Sequence, residues 1–424
     1  MKKIVLIAAG LTLGFSGFAQ KSKIQSAKNY LADKNFEKAK ASIEEAVNDE
    51  STKDDPKAWY VRGVVYLAMQ QQPAGEGKDL YNEAGKSLKK AVSLQSDYEK
   101  DDINNKLFAV VIYNFNDGIN AYDKQNYEQA FKHFGEVVDI HGLGGGKRFT
   151  GKNWVKFDTV AHQAALYQGY SAYYGNKYDE ARPLLQNAKS DPIIKAPNIY
   201  LMLADVYEAK KDEANLTAVL AEGRREFPKD KTLVNRELNY YIKANKSDEL
   251  VKKLEDAIQL DPNNSELLFT LAIAYDNMAN PKDKDNKDLP KPANYDELFS
   301  KAETAYKNAL TAAPTKEDVN YNTGALYFNR AVMINEQMNA ITGTSAPELK
   351  KYDALKAERE EWFNKALPFL DKTIDLYNPK AGSLAGEDRT TYMSALIAAK
   401  EIYAKQNKFD KAKELKSKLD AVNK

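Results

Sequence analysis

The chain has 424 residues, of which 43% are apolar and 29% charged, an ordinary globular balance. Its 62 basic and 61 acidic side chains are interleaved along the sequence, without the clustered basic face that displacing counterions from a nucleic acid requires. There is no cysteine, which excludes disulfides, thiolate metal sites, cysteine nucleophiles and a lipid-bearing N-terminal cysteine.

Residues 1–19 read as an export signal. Lys2 and Lys3 form a basic start, Ile4 to Leu13 is apolar but short for a membrane span, and Gly17-Phe18-Ala19 supplies small residues at a cleavage site. Cleavage after Ala19 would leave Gln20 first, and the mature protein is expected in the periplasm or outside the cell. No later segment is apolar for long enough to span a bilayer, so the mature chain is not expected to be membrane-spanning.

From residue 20 onward one pattern recurs. In 20–50, Ala27 precedes Tyr30 by one helical turn; Asn35-Phe36 follows, then Ala39 and Ala46 two turns apart. Residues 56–97 repeat it with Gly63, Tyr66, Tyr81, Ala84 and Ala91, interrupted at Gln70–Asp79. Residues 110–140 give Asn126-Tyr127, Ala130 and Val137, and an irregular stretch runs from His141 to Phe157. Residues 158–190 carry Asn176, Tyr178, Ala181 and Ala188. The next two units, 197–228 and 231–262, keep Ala204, Tyr207, Leu250, Ala257 and the closing Pro228 and Pro262, but have Glu213 and Ser247 where the aromatic belongs. Residues 265–314 contain Ala272, Tyr275, an interruption at Asn280–Asn294, Phe299, Ala302, Ala309 and Pro314. Residues 317–378 have Gly324, Tyr327, an interruption at Met338–Glu360, Phe363, Ala366 and Thr373. Residues 388–422 end the series with Asn407, Phe409, Ala412 and Leu419.

Each unit therefore reads as helix, tight turn, helix. The small residue lets two backbones approach, the aromatic fills the volume beside the crossing, and Asn35, Asn126, Asn176 and Asn407 are expected in the left-handed region that ends the first helix. One hairpin cannot hide its own apolar face, so neighbours must stack. The pattern resembles the tetratricopeptide repeat, best in Glu266 to Pro314 with Leu268, Leu271, Ala272, Tyr275, Ala302, Tyr306, Ala309 and Pro314 in register. The resemblance implies an all-α fold, an α-solenoid or right-handed superhelix of about nine helix-turn-helix units with inserted loops.

Three motifs invite chemistry and do not support it. His141-Gly142-Leu143-Gly144-Gly145-Gly146-Lys147 puts His141 and Arg148 where a phosphate loop needs glycine and a hydroxyl; it reads better as a flexible connection offering Arg148, Phe149 and Trp154 to a partner. In Lys282 to Asp288 the acids alternate, but Lys287, Asp288 and Asn294 fall where a calcium loop needs a ligand, a glycine and a glutamate. His133, His141 and His162 share no metal-ligand spacing on one helix face, and no carboxylate pair stands out for glycosidase chemistry. No cofactor, nucleotide or metal is expected.

By the resemblance, the first helices line a groove with the residue three before the small position: Ile24, Tyr60, Phe115, Leu166, Leu201, Asn235, Phe269, Tyr321 and Ile397. None is the lysine with which family members grip a peptide carboxylate. Tyr122, Tyr173 and Phe328, with the amides of Asn116, Asn322 and Asn329, extend this candidate surface, and aromatic anchors ringed by hydrogen-bonding groups suit a protein or peptide partner. The sequence thus points to a non-enzymatic scaffold of the cell envelope that binds protein; the alternative is a protein that stacks tyrosine and tryptophan on glycan or peptidoglycan.

Overall fold

The computed structural model describes residues 21–75, 77–285 and 287–422. The candidate signal segment, Lys2 to Ala19, lies outside them. The chain divides into two compact units, Met1–Arg225 and Glu226–Lys424.

Among the described residues the first unit is built from ten helices paired as consecutive antiparallel hairpins: α1 (21–32) with α2 (Phe36–Val47), α3 (Pro56–Gln70) with α4 (Leu80–Leu94), α5 (Lys100–Asp123) with α6 (Tyr127–His141), α7 (Val155–Tyr174) with α8 (Tyr178–Lys189), and α9 (Pro197–Ala209) with α10 (Glu213–Glu226). The second holds α11 (Lys231–Lys243) with α12 (Ser247–Leu260), α13 (Ser265–Ala279) with α14 (Tyr295–Ala312), α15 (Glu317–Asn339) with α16 (Ala346–Tyr377), and α17 (Gly386–Lys405) with α18 (Phe409–Val422). The described residues form no strand, only an isolated antiparallel bridge between Lys282 and Asp288.

Six turns share one backbone solution. Lys34, Gln125, Asn176, Lys211, Asn245 and Asn407 each have φ between 51° and 59°. The next residue reaches back across the turn, as in Asn35 N–H to Tyr30 O at 2.7 Å and Asn126 N–H to Ala121 O at 2.8 Å, the Schellman closure of a helix C-terminus. The expectation for Asn35 and Asn126 needs correction by one position: both have negative φ and cap the second helix, their side chains accepting from Lys38 N and Gln129 N.

The alanines of the repeat are buried in every unit but the last, with Ala39, Ala84, Ala130, Ala181, Ala302 and Ala366 fully covered and Ala412 half-buried. Where glycine replaces alanine on the first helix the approach is closer still. A methyl group on Gly63 would lie 2.7 Å from the Leu88 side chain, and one on Gly324 2.8 Å from Leu370, inside any tolerable carbon–carbon contact.

Sequence reading left the tyrosine hydroxyls unassigned. Tyr66 of α3 donates to Glu44 of α2, Tyr275 of α13 to Glu255 of α12, and Tyr327 of α15 to Glu303 of α14, each at 2.8 Å, while Tyr403 of α17 donates to Asp371 of α16 at 2.6 Å. Gln186 of α8 donates to the Tyr207 hydroxyl of α9 at 2.7 Å. Each bond joins the second helix of one hairpin to the first helix of the next. A buried phenol must find an acceptor, and a carboxylate at the seam supplies it while locking the register of stacking.

Two of the four interruptions differ from their reading as loops. Met338–Glu360 is largely helix: α15 and α16 are simply long, joined through 340–345, with Arg359 donating to Asn335 at 2.8 Å across the hairpin and a Ser345–Glu348 capping box starting α16. In the stretch between α6 and α7, Arg148 and Phe149 are buried, and Phe149 packs edge-on against Phe157 at 4.8 Å and Trp154 at 5.1 Å. Those two are part of the core of the first unit and do not project to a partner.

Candidate functional site

Exposure along the first helices sorts the candidate residues. On α5 the exposed positions include Asn105, Ile112, Asn116 and Asn120, seven, four and four apart and therefore on one stripe. Asn116 lies on it. Phe115, one position earlier, packs edge-on against Phe134 at 5.8 Å. Tyr60 is half-buried and donates to Asp102 at 2.7 Å; Tyr173 donates to Asp205 at 2.7 Å. Tyr122 sits in a ring cluster with Tyr127, Tyr167 and Tyr174 at centroid distances of 5.6, 5.3 and 6.1 Å, where burial first and the neighbouring tyrosines second hold its hydroxyl far above the usual phenol range. In the second unit Phe269 packs on Tyr306 and Phe328 on Phe363, and Asn322 donates to the Asp318 carbonyl of its own helix at 2.8 Å. Tyr321, Leu166 and Leu201 are half-buried, Ile24 is buried, and Asn235 and Ile397 are exposed. Most of the rings are thus spent on packing; Asn116 and Asn329 remain on the surface.

The geometry gathers elsewhere, beside the two insertions that lie within hairpins. In the first unit the 70–79 segment borders a cleft of about 670 Å³ that includes Asp117, Asn120, Asn126 and His133. Tyr81, stacked on Tyr113 at 5.2 Å, forms its wall and bonds to Asp117.

In the second unit the 280–294 segment forms a short arm. Leu289 N–H bonds to Pro281 O and Asp283 N–H to Lys287 O, both at 2.9 Å, and Asp283 Oδ1 accepts the amides of Asp285 and Lys287, also at 2.9 Å. A polar chain fastens the base of the arm to α13: Lys291 Nζ donates to Asn280 Oδ1 at 2.6 Å and Asn280 Nδ2 to Asp276 Oδ1 at 2.7 Å. Burial pushes the Asp276 carboxyl above the usual carboxylate range, against the opposing pull of Asn280 and of the Lys291 charge.

A cleft lies on each side of this arm. One, of about 670 Å³, is lined by Tyr241, Ile242, Thr270, Ile273 and Asn277; Ile242 is 44% exposed although large and apolar. The other, of about 480 Å³, is lined by Leu289, Tyr295, Asn329, Val332, Met333 and Glu336. Thr270, Ile273 and Asn277 form one stripe of α13, and Asn329, Val332, Met333 and Glu336 one stripe of α15. Of the candidate residues only Asn329 reaches either of these two clefts. Ile242, Ile273, Asn277, Val332 and Met333 were missed, although a four-residue step between apolar and amide side chains is visible along both helices.

Such surfaces offer amides for backbone hydrogen bonds and aliphatic walls for side chains. No cluster of three or more metal-ligating side chains able to hold an ion occurs among the described residues, and no described helix is long and apolar enough to cross a membrane.

Residues 253–285, from the second helix of one hairpin (α12) through the first helix of the next (α13) into the arm, match the tetratricopeptide repeat family model. No curated protein matches the chain. Similar solved structures include the C-terminal part of a TPR repeat-containing protein from Cytophaga hutchinsonii, 11% identical, covering 73% of this chain and 95% of that one with a TM-score of 0.46. MamA AMB-1 is 19% identical over 54% of this chain and 97% of that one, TM-score 0.31, and the P58(IPK) TPR domain 12% identical over 96% and 99%, TM-score 0.27.

Proposed function

We propose that the protein is a non-enzymatic scaffold of the cell envelope that holds an extended segment of a partner protein in the clefts beside the arm of the second unit. Tetratricopeptide repeats are protein-interaction modules, and the fold supplies that general role. The observation that carries the finer reading is the pairing of surface amides with apolar side chains on both flanks of the arm: Asn277 with the exposed Ile242 and the half-buried Ile273, and Asn329 with the half-buried Val332 and Met333. An extended peptide needs acceptors and donors for its backbone and apolar contact for alternate side chains.

Export supports the envelope assignment and rests on the basic, apolar and small-residue segments of Lys2 to Ala19. N-terminal sequencing of protein from a periplasmic fraction checks it, with Gln20 as the expected first residue. Ile273→Asp with Asn277→Ala, and separately Val332→Asp with Asn329→Ala, test the clefts. Each pair changes an exposed amide and a half-buried residue of the cleft wall, so the thermal melt should persist while crosslinked partner capture from native envelopes falls at least about tenfold, the effect of losing about 1.4 kcal/mol of binding. Unchanged capture by both pairs would remove the proposal. A glycan-binding reading has less support, because Tyr60, Tyr66, Tyr173, Tyr275, Tyr327 and Tyr403 commit their hydroxyls to carboxylates.

A further inference from the structure

Four buried or half-buried arginines among the described residues differ in how their charge is matched. Arg62 meets Glu44 at 2.8 Å and Glu83 at 3.0 Å and lies over the Tyr66 ring. Arg330 meets Asp296 at 2.8 Å, under the rings of Tyr295 and Phe299. Arg359 meets Glu360 at 2.8 Å and lies over Phe363. Arg148 is different. It is 8% exposed, and its one side-chain hydrogen bond runs from Nη1 to the Ser96 carbonyl at 2.7 Å. Nε and Nη2 are buried with no acceptor. No carboxylate acts on it, and burial alone draws its pKa below the usual arginine value. Buried polar groups are nearly always matched, so two orphaned donors on one cation call for a partner.

The unmatched atoms are chemically informative. Nε and Nη2 form the side-on edge of the guanidinium, two parallel N–H groups spaced to fit two oxygens of a carboxylate or phosphoryl group. Nη1, outside that edge, is the atom already used. The glycine-rich stretch that does not fit a phosphate loop leads directly into the arginine. A methyl group placed on Gly144 would lie 3.6 Å from the Arg148 Cβ, and Gly144, Gly145 and Gly146 have φ of 64°, 66° and 76°. These glycines are exposed, and the backbone amides of Gly144 and Gly145 donate to no acceptor among the described residues. Glycines turn without side-chain cost, so the stretch next to Arg148 is able to move to admit an anion, and the exposed Lys147, its neighbour in the chain, carries a second positive charge.

We propose that Arg148, next to the 142–147 glycine loop, is an oxyanion receptor, taking a carboxylate or phosphoryl group on its Nε/Nη2 edge. The site belongs to the first unit and does not depend on the clefts of the second.

The full chain is titrated with inorganic phosphate and, separately, with acetate and N-acetylglycine in chloride buffer at constant ionic strength, following the melting temperature and the heat of binding. The expected result is a saturable rise with at least one probe. Phosphate alone identifies a phosphoryl ligand, and the carboxylates alone identify an acidic or C-terminal peptide group. Arg148→Met should abolish the response and melt no lower than wild type in chloride, because it removes a buried unmatched charge. Arg148→Lys keeps the charge without the fork, so it serves if the methionine variant does not fold, and should weaken binding by about tenfold or more. No saturable response of the wild type to any probe, or an unchanged response of Arg148→Lys, overturns the assignment.

Discussion

Tyr66 of α3 donates its hydroxyl to Glu44 of α2 at 2.8 Å, and Arg62, one turn earlier on α3, binds the same carboxylate at 2.8 Å. One acid thus ties two residues of the next hairpin. Tyr66→Phe should cost about 1–2 kcal/mol, the range for a hydrogen bond to a charged acceptor. Glu44→Gln should cost more, since it also leaves a partly buried guanidinium with one carboxylate fewer. A double-mutant cycle by urea unfolding measures the coupling, which should exceed about 0.5 kcal/mol if the seam is real.

The same bonds predict alkaline lability. Burial first, then the Glu44 hydrogen bond, pushes the Tyr66 phenol up to about 12, and the phenols of Tyr275, Tyr327 and Tyr403 are raised further by the same causes. A phenol whose folded pKa lies above its unfolded value near 10 favours the fold fully below pH 10, and that favour is lost as pH rises through 10 toward the folded value. Ultraviolet absorbance titration should show exposed tyrosines ionising near pH 10 and the seam tyrosines only together with loss of helical dichroism. A single transition near 10 with the helices intact would contradict the seam.

Gly63 and Gly324 occupy the small position where two helices meet. Gly63→Val should destabilise by about 1–3 kcal/mol through overpacking against Leu88, despite the better helix propensity of valine over glycine. Gly382→Ala is the control: nothing lies within 4 Å of its added methyl group. Chemical denaturation of both variants checks the contrast, and equal stability would remove the close-approach explanation.

Helical periodicity, hairpin order and the buried alanines were legible because they repeat, and repetition averages out local exceptions. The faces were less so. A step of one residue rotates a helix position by about 100°, so of the two neighbours read as groove residues Phe115 packs on Phe134 while Asn116 lies on the surface. The turn shows the same sensitivity: Asn35 is a cap, and Lys34 carries the left-handed backbone. Met338–Glu360 broke the repeat spacing and read as an insertion, although Ser345 and Glu348 form a capping box that announces a helix. Arg148 was legible only as part of an irregular connection, because its place is set by a contact distant in sequence, the Ser96 carbonyl.

Asp276 gives the arm of the second unit a pH dependence of its own. Burial raises its carboxyl while the Asn280 amide and the Lys291 charge oppose the shift. An acid whose folded pKa exceeds its unfolded value favours the fold only while protonated, so this contribution is lost as pH rises from the ordinary carboxylate value near 3.9 through the folded one. At neutral pH the acid is therefore a net burden on the fold, retained beside the arm. Asp276→Asn keeps an oxygen to accept from Asn280 and removes the charge. The variant should melt above wild type at pH 7, and the gap should shrink on acidification as the wild-type carboxyl gains its proton. Hydrogen exchange across 281–291 should rise in the same variant at pH 7, since Lys291 loses the charge it partly balances while the rest of the unit is stabilised. A variant less stable than wild type at pH 7 would mean that the Asp276–Asn280–Lys291 chain outweighs the desolvation of its acid.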